Sequence, residues 1–206
     1  ARYLKRYSLN DNNNAFLIGA KYYQAKNSSI QGPGSSGSDA DFDLAIDEFP
    51  LYANQSEYEY PNLNLALFGE NIFRFGQNFS ITPGFRFEYI KTQADGYFRK
   101  INTDLAGNVI LDETIDEDVV KERSFALFGV GLSYKPINQL EYYGNISQNY
   151  RSVTFNDIRT VSPSQVIAPD ITDERGFTTD VGARGLLIPN LSFDASVFAL
   201  YYNDKI

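Results

Sequence analysis

Alternation at every second residue is the dominant pattern along the chain, and it predicts eight β-strands. The clearest run is 79–92, FSITPGFRFEYIKT. Phe79, Ile81, Phe85, Phe87 and Tyr89 share one face, and Ser80, Thr82, Gly84, Arg86 and Glu88 share the other. Residues 63–74 repeat this, with Leu63, Leu65 and Leu67 against Asn64, Phe68 and Glu70. In 140–151, Leu140, Tyr142, Ile146 and Tyr150 oppose Glu141, Tyr143, Asn145, Ser147, Asn149 and Arg151. In 191–203, Leu191, Phe193, Ala195, Val197 and Tyr201 oppose Ser192, Asp194 and Ser196. Weaker alternation marks 2–9, 15–26, 124–135 and 177–187. Charged residues inside the strands, namely Glu70, Arg86, Glu88, Asp180, Arg184 and Asp194, keep to the polar parity. Lys21 fits less well, and Lys91 falls on the oily parity, where a long amine near a strand end can snorkel.

The connections between these strands alternate strictly in length. Residues 10–14, 75–78, 136–139 and 188–190 are tight, whereas 27–62, 93–123 and 152–176 each run to about 25 residues or more. Outer-membrane barrels place short turns at the periplasmic end and long loops outside the cell. Structureless connections of this length are uncommon in compact water-soluble domains. The first residues, ARYLKRYSLNDNNN, contain no apolar signal-peptide core, and nowhere are there eighteen consecutive apolar residues to form a membrane helix. Strands of about 9–11 residues remain sufficient to cross a bilayer. The predicted fold class is therefore all-β, an antiparallel transmembrane barrel, with one face toward lipid and the other toward water or a plug.

Composition sharpens this picture. Tyr (15) and Phe (16) make up 15% of the 206 residues although only 43% of the chain is hydrophobic, as expected where strands alternate instead of being buried on both sides. Lys plus Arg number 18 against 26 Asp plus Glu, for a net charge of −8, which lacks the cationic footprint of a nucleic-acid binder. With neither His nor Cys, the chain has no disulfide framework, no zinc site of the usual His/Cys kind and no Ser/His/Asp or Cys nucleophilic machinery. It begins without Met and stops at Ile206 just after a strand-like run, so it reads as a piece of a longer protein whose other strands and any plug lie elsewhere.

Few motifs carry chemistry. Gly32, Gly34 and Gly37 spell a G-x-G-x-x-G, but Pro33 and two serines interrupt it and no helix pattern follows, so a flexible loop is the better reading. Asp39, Asp41 and Asp43 begin like a calcium loop, yet Leu44 and Pro50 stand where such a loop needs Gly and Glu. Asn-x-Ser triplets at Asn27, Asn54, Asn78, Asn145 and Asn190 match chance, and Asn145 falls within a strand. Acidic residues crowd the long connections: Asp39 to Glu59 in the first, and Asp112, Glu113, Asp116, Glu117 and Asp118 in the second. They read as a solvated surface, or as an attractor of cations or partners at an extracellular mouth. Glu88 with Glu70 is the nearest approach to a carboxylate pair, but Arg86 beside them favours a lumenal ion pair over acid/base catalysis. The chain is read as no enzyme.

The run LALFGENIFRFGQNFSITPGFRFEY (65–89) resembles a hairpin of TonB-dependent outer-membrane receptors. LSYKP (132–136), YYGNISQNYRSVTF (142–155) and DERGFTTDVGARG (173–185) resemble later strand pairs of the same barrels. GPGSSGSDADF (32–42) is similar to the ferric dicitrate receptor branch. Tyr150-Arg151-Ser152 departs from the Phe-Arg-Pro usual there. The resemblance implies about 22 strands closed around a plug, of which this chain supplies eight. It further implies import of ferric citrate or a siderophore across the outer membrane of a Gram-negative bacterium, with an inner-membrane TonB-type partner supplying energy. No cofactor is implied beyond the iron chelate carried as ligand. Such a chelate is anionic, and arginine's planar fork suits carboxylates. Arg151, ending an upward strand on the lumenal parity, is the first expected contact, then Arg159, with Tyr150 and Tyr143 behind. For each, the competing reading is a salt bridge or loop anchor. Arg86, Glu88, Glu70 and Arg184 are expected to face the lumen or plug. Two rival architectures stay open at this point: a small self-contained eight-stranded barrel with a structural or adhesive role, and a soluble carbohydrate-binding β-sandwich.

Overall fold

The computed structural model describes all residues except 35, 36, 38–42, 159–170, 205 and 206. Eight strands follow in chain order: β1 (Arg2–Leu9), β2 (Asn12–Gln31), β3 (Ser56–Phe75), β4 (Phe79–Thr103), β5 (Val109–Ile137), β6 (Leu140–Arg151), β7 (Glu174–Ile188) and β8 (Leu191–Asn203). One helical turn, α1 (Phe155–Ile158), lies between β6 and β7. Each strand pairs antiparallel with its sequence neighbours, giving a single sheet in the order β1 to β8. A sandwich would need two sheets, and a self-contained eight-stranded barrel would need β1 to pair with β8. Neither rival is met.

The tight turns have local causes. Asn10 and Asp11 both adopt positive φ, 48° and 60°, which is the type I′ geometry whose twist matches two antiparallel strands. Gly76, at φ 66°, opens the turn that joins Phe75 to Phe79.

Register fixes the two faces. Leu65 pairs with Tyr22 and Tyr89, and Phe85 pairs with Gly69 and Phe128. The outward row of β4 thus runs Phe79, Ile81, Pro83, Phe85, Phe87, Tyr89, and then abruptly Lys91, Gln93 and Asp95. Ten residue steps at about 3.3 Å each, tilted by about 40°, rise roughly 25 Å, the height of the apolar band of an outer-membrane barrel. Phe128 (55% exposed), Val197 (76%) and Ile146 (48%) project outward, and among the described residues the buried apolar side chains are few. A water-soluble fold would be inside out in this arrangement, whereas a lipid-facing wall requires it. Tyr22 and Tyr89 border the band above. Tyr7, Phe75, Phe79 and Tyr134 lie near its lower edge, with the Phe75 and Phe79 rings 5.8 Å apart.

The strands outrun the expected boundaries. Residues 93–123, expected as a structureless connection, are mostly the upper half of the β4–β5 hairpin, and only 104–108 form its turn. Part of 27–62 likewise belongs to β2 and β3. Because β4 runs on to Thr103, Lys91 lies in mid-strand and pairs with Glu122 at 3.2 Å. The physical reason is solvent. Above the lipid both faces are wet, so the ladder persists while the alternation that signals it fades.

The hairpin tip is held by carboxylates. Asp104 accepts hydrogen bonds from the Ala106 and Asn108 amides at 2.9 and 2.8 Å and from the Asn108 side chain, while Gly107 takes φ 86°. Arg99 grips Asp112 through two bonds of 2.8 and 2.7 Å. The Asn108 bonds hold Asp104 below the usual carboxylate range, and Arg99 does the same for Asp112. Both groups bind protons less readily folded than unfolded. Their support is therefore complete above the ordinary aspartate range and fades as pH falls through the depressed folded values. Amide exchange at Ala106 and Asn108 is expected to quicken, relative to the intrinsic rate, only in strong acid. Protection that stayed constant throughout would contradict it.

Candidate functional site

Above the apolar band the inner face of β3 and β4 carries Tyr58, Tyr60 and Ala94, all buried. The chain leaving β6 turns onto this surface instead of away from it. Val153 (2% exposed) and Ile158 (1%) complete the small core, with Val119, Phe155 and Ile171 packed against it. Phe155 lies 4.9 Å from the Tyr60 ring. Thr154 and Asp157 lock the helical turn: the Thr154 amide and hydroxyl both donate to Asp157 Oδ2 at 2.7 Å. This is half of a capping box, three residues apart as the motif requires.

Charge reinforces the fold-in. Arg123, with a side chain only 9% exposed, meets Asp173 at 2.8 Å and donates to Thr92 Oγ1 at 3.2 Å and to the Val153 carbonyl at 3.4 Å. Asp173 also accepts from the Val153 amide at 2.9 Å and from the Tyr150 hydroxyl at 2.5 Å. The Tyr150 ring stacks on Phe125 at 3.6 Å. Both ends of the segment 152–173 are therefore tied to one buried ion pair. Arg151, paired in register with Glu174, bridges to it at 2.7 Å and to Asp157 at 3.7 Å, with a side chain 44% exposed.

The expected site residues separate. Tyr150 and Arg151 come together at the mouth, joined by Arg123 and Asp173. Sequence reading missed Arg123 and Asp173 because both fell inside stretches taken as loops. Arg159 lies outside the described residues. Tyr143 sits eight residues lower on β6, roughly 26 Å away at about 3.3 Å per residue. There its hydroxyl donates to Asp194 at 2.8 Å and Arg184 covers its ring at 5.3 Å. Arg184 also pairs with Glu141 at 2.9 Å, and Ser133 donates to the same carboxylate at 2.6 Å. This lower lumenal cluster is distinct from the mouth.

A second lumenal group lies between the two. Arg86 and Glu88 form an ion pair on the inner face. Asn64 donates to Glu88 at 2.5 Å, and Arg86 stands 5.8 Å from the Phe68 ring. Glu70, opposite Gly84, shares this face. Nothing there presents two free carboxylates, so the wall carries structural charge. Among the described residues, no group of three acidic side chains is placed to hold a metal.

Solved receptors share this architecture. The ferric-catecholate import receptor Fiu of Escherichia coli K12 superposes with a TM-score of 0.70 at 12% identity, over 96% of this chain and 30% of its own. The ferric yersiniabactin uptake receptor FyuA of Yersinia pestis gives 0.60 at 16% identity, over 90% of this chain and 25% of its own. The Serratia marcescens hemophore receptor HasR, solved with its hemophore HasA and heme, gives 0.53 at 14% identity, over 90% and 33%. The chain thus spans a quarter to a third of the solved receptors it matches. No curated protein matches the sequence. The model of the TonB dependent receptor-like β-barrel family matches residues 2–206, and the chain belongs to that family.

Proposed function

We propose that this chain forms part of the wall and outer mouth of an outer-membrane receptor that imports an anionic iron chelate, ferric citrate or a siderophore, into a Gram-negative cell. A TonB-type inner-membrane protein would energise it through a plug. The observation that carries this reading is membership of the receptor family, together with solved neighbours named for ferric-catecholate, ferric yersiniabactin and hemophore. The mouth chemistry fits. Arg151 is half-exposed; Nη1 donates to Glu174 and Nη2 stands 3.7 Å from Asp157, so of its five N–H groups those turned to solvent can reach a chelate carboxylate. Arg123 is sealed beneath and acts as a structural cation.

Uptake of radiolabelled ferric citrate by the full-length receptor, in cells lacking other receptors, tests the reading. Arg151→Ala is expected to weaken apparent affinity by about ten- to a hundredfold, the loss of a charge-assisted bond of about 1.5–3 kcal/mol. Arg151 is 44% exposed but Glu174 only 8%, so the variant should also loosen the mouth by about 1–3 kcal/mol through the buried carboxylate that loses this cation, while the membrane-embedded ladders stay intact. Unaltered affinity would remove Arg151 from the site, and absence of citrate-dependent uptake in the unmutated receptor would remove ferric citrate.

A further inference from the structure

The outer face changes character within two rows. Across β2, β3 and β4 the last apolar outward row is Tyr22, Leu65 and Tyr89, paired in register. One row higher, Leu63 stands between Gln24 and Lys91, and in the next Pro61 pairs with Lys26. Leu63 and Pro61 are short, while their neighbours on both flanking strands are long. A groove of about 690 Å³ therefore follows β3, walled by Tyr22, Gln24 and Lys26 on one side and by Lys91 and Gln93 on the other.

The two ammonium groups stand just above the apolar band, where lipid headgroups begin. Each is already matched, Lys26 with Glu59 at 2.6 Å and Lys91 with Glu122 at 3.2 Å. All four side chains are 39–59% exposed, and exposed pairs of this kind hold weakly and exchange partners readily. A phosphate monoester carries more charge than either carboxylate and offers three acceptor oxygens to two lysines. Higher on the same face come Glu57, Glu59, Asp95, Asp116 and Asp118, which repel an anion arriving from solution. An anion anchored at membrane level escapes that repulsion. Below the groove, Leu65, Leu67 and Phe87 offer the apolar wall along which acyl chains would lie.

We infer that this groove is a binding site for an outer-leaflet lipid bearing a phosphate monoester on its headgroup, clamped between Lys26 and Lys91. The inference rests on the membrane-spanning reading of the lower strands. Native mass spectrometry of the full-length receptor, purified in detergent and titrated with lipid A or with its dephosphorylated form, tests it. The unmutated receptor should retain the phosphorylated lipid preferentially. Lys26→Gln with Lys91→Gln should lose about thirtyfold in apparent affinity, about fivefold per lysine, whereas the double arginine variant should keep most of it. Equal retention by the double glutamine variant would overturn the site. So would full displacement of the lipid by inorganic phosphate at equal concentration, since the acyl chains would then contribute nothing. A receptor that stayed monodisperse and folded without detergent would instead sink the membrane reading on which the inference stands.

Discussion

An arginine in place of Phe128 is expected to destabilise the full-length barrel by about 2–4 kcal/mol, the cost of a guanidinium on the lipid face near the bilayer midplane. Phe128 is 55% exposed, pairs with Phe85 and meets the Phe87 ring edge-on at 6.4 Å, all within the apolar band. The companion substitution Asn145→Arg introduces the same side chain on the other parity. Asn145 lies opposite Asp180 and beside Gly131, so the new cation has a partner, space and lumenal water. Its effect should stay within about 0.5–1 kcal/mol. Urea unfolding of both variants in lipid vesicles reads the difference directly. Equal losses would mean that the faces are wrongly assigned, and a large loss for Asn145→Arg alone would reverse them.

That contrast rests on the part of the fold most legible in the sequence. Between Phe79 and Tyr89 lipid and water act on alternate residues, so side-chain chemistry records the strand, its face and even its membrane height. The record fades at Lys91. Beyond it, Asp95 and Asp116 occupy the outward parity and Lys121 and Glu117 the inward one, so hydropathy no longer distinguishes a ladder from a loop. Pro61 obscured β3 in the same way, because a proline inside a run argues against a strand. Here it falls where register pairs are interrupted, and Tyr58 and Tyr60 continue the strand above it. Their alternation with Glu57 and Glu59 was the available signal.

The mouth was legible only in part, for a different reason. Arg151 and Tyr150 could be placed because they end a strand with clear alternation. Arg123 and Asp173 meet across 50 positions of sequence through the fold-in of 152–158, and no local pattern encodes such a pairing. Thr154 and Asp157 did hold a local signal, the three-residue capping spacing, but α1 is too short to show a hydrophobic period. The same long-range assembly explains why Tyr143, on the lumenal parity like Arg151, belongs to a different cluster. Parity gives the face of a residue, while its height along the wall decides its neighbours.

Removing Asp173, which ties both ends of the segment to a cation buried at 9% exposure, should have a larger effect than removing Arg151, which is half-exposed. Asp173→Ala leaves Arg123, 9% exposed, without its counter-charge and strips partners from the Tyr150 hydroxyl and the Val153 amide. Breaking a buried pair in this way costs about 3–5 kcal/mol. The membrane-embedded strands hold the barrel through their own ladders, so the cost falls on the mouth, where residues 152–158 would detach from Tyr58 and Tyr60 before the wall unfolds. Limited proteolysis of the full-length receptor should show new cleavage between Ser152 and Ile158, with the urea midpoint of the barrel nearly unchanged. Asp173→Asn, which keeps an acceptor for Tyr150 or Val153 but not the charge, should fall between. Tyr150→Phe should cost least, since the ring keeps its stack on Phe125. If Asp173→Ala and Arg151→Ala released the segment to the same extent, the buried pair would not be what holds it, and the apolar contacts of Val153, Phe155 and Ile158 would have to suffice.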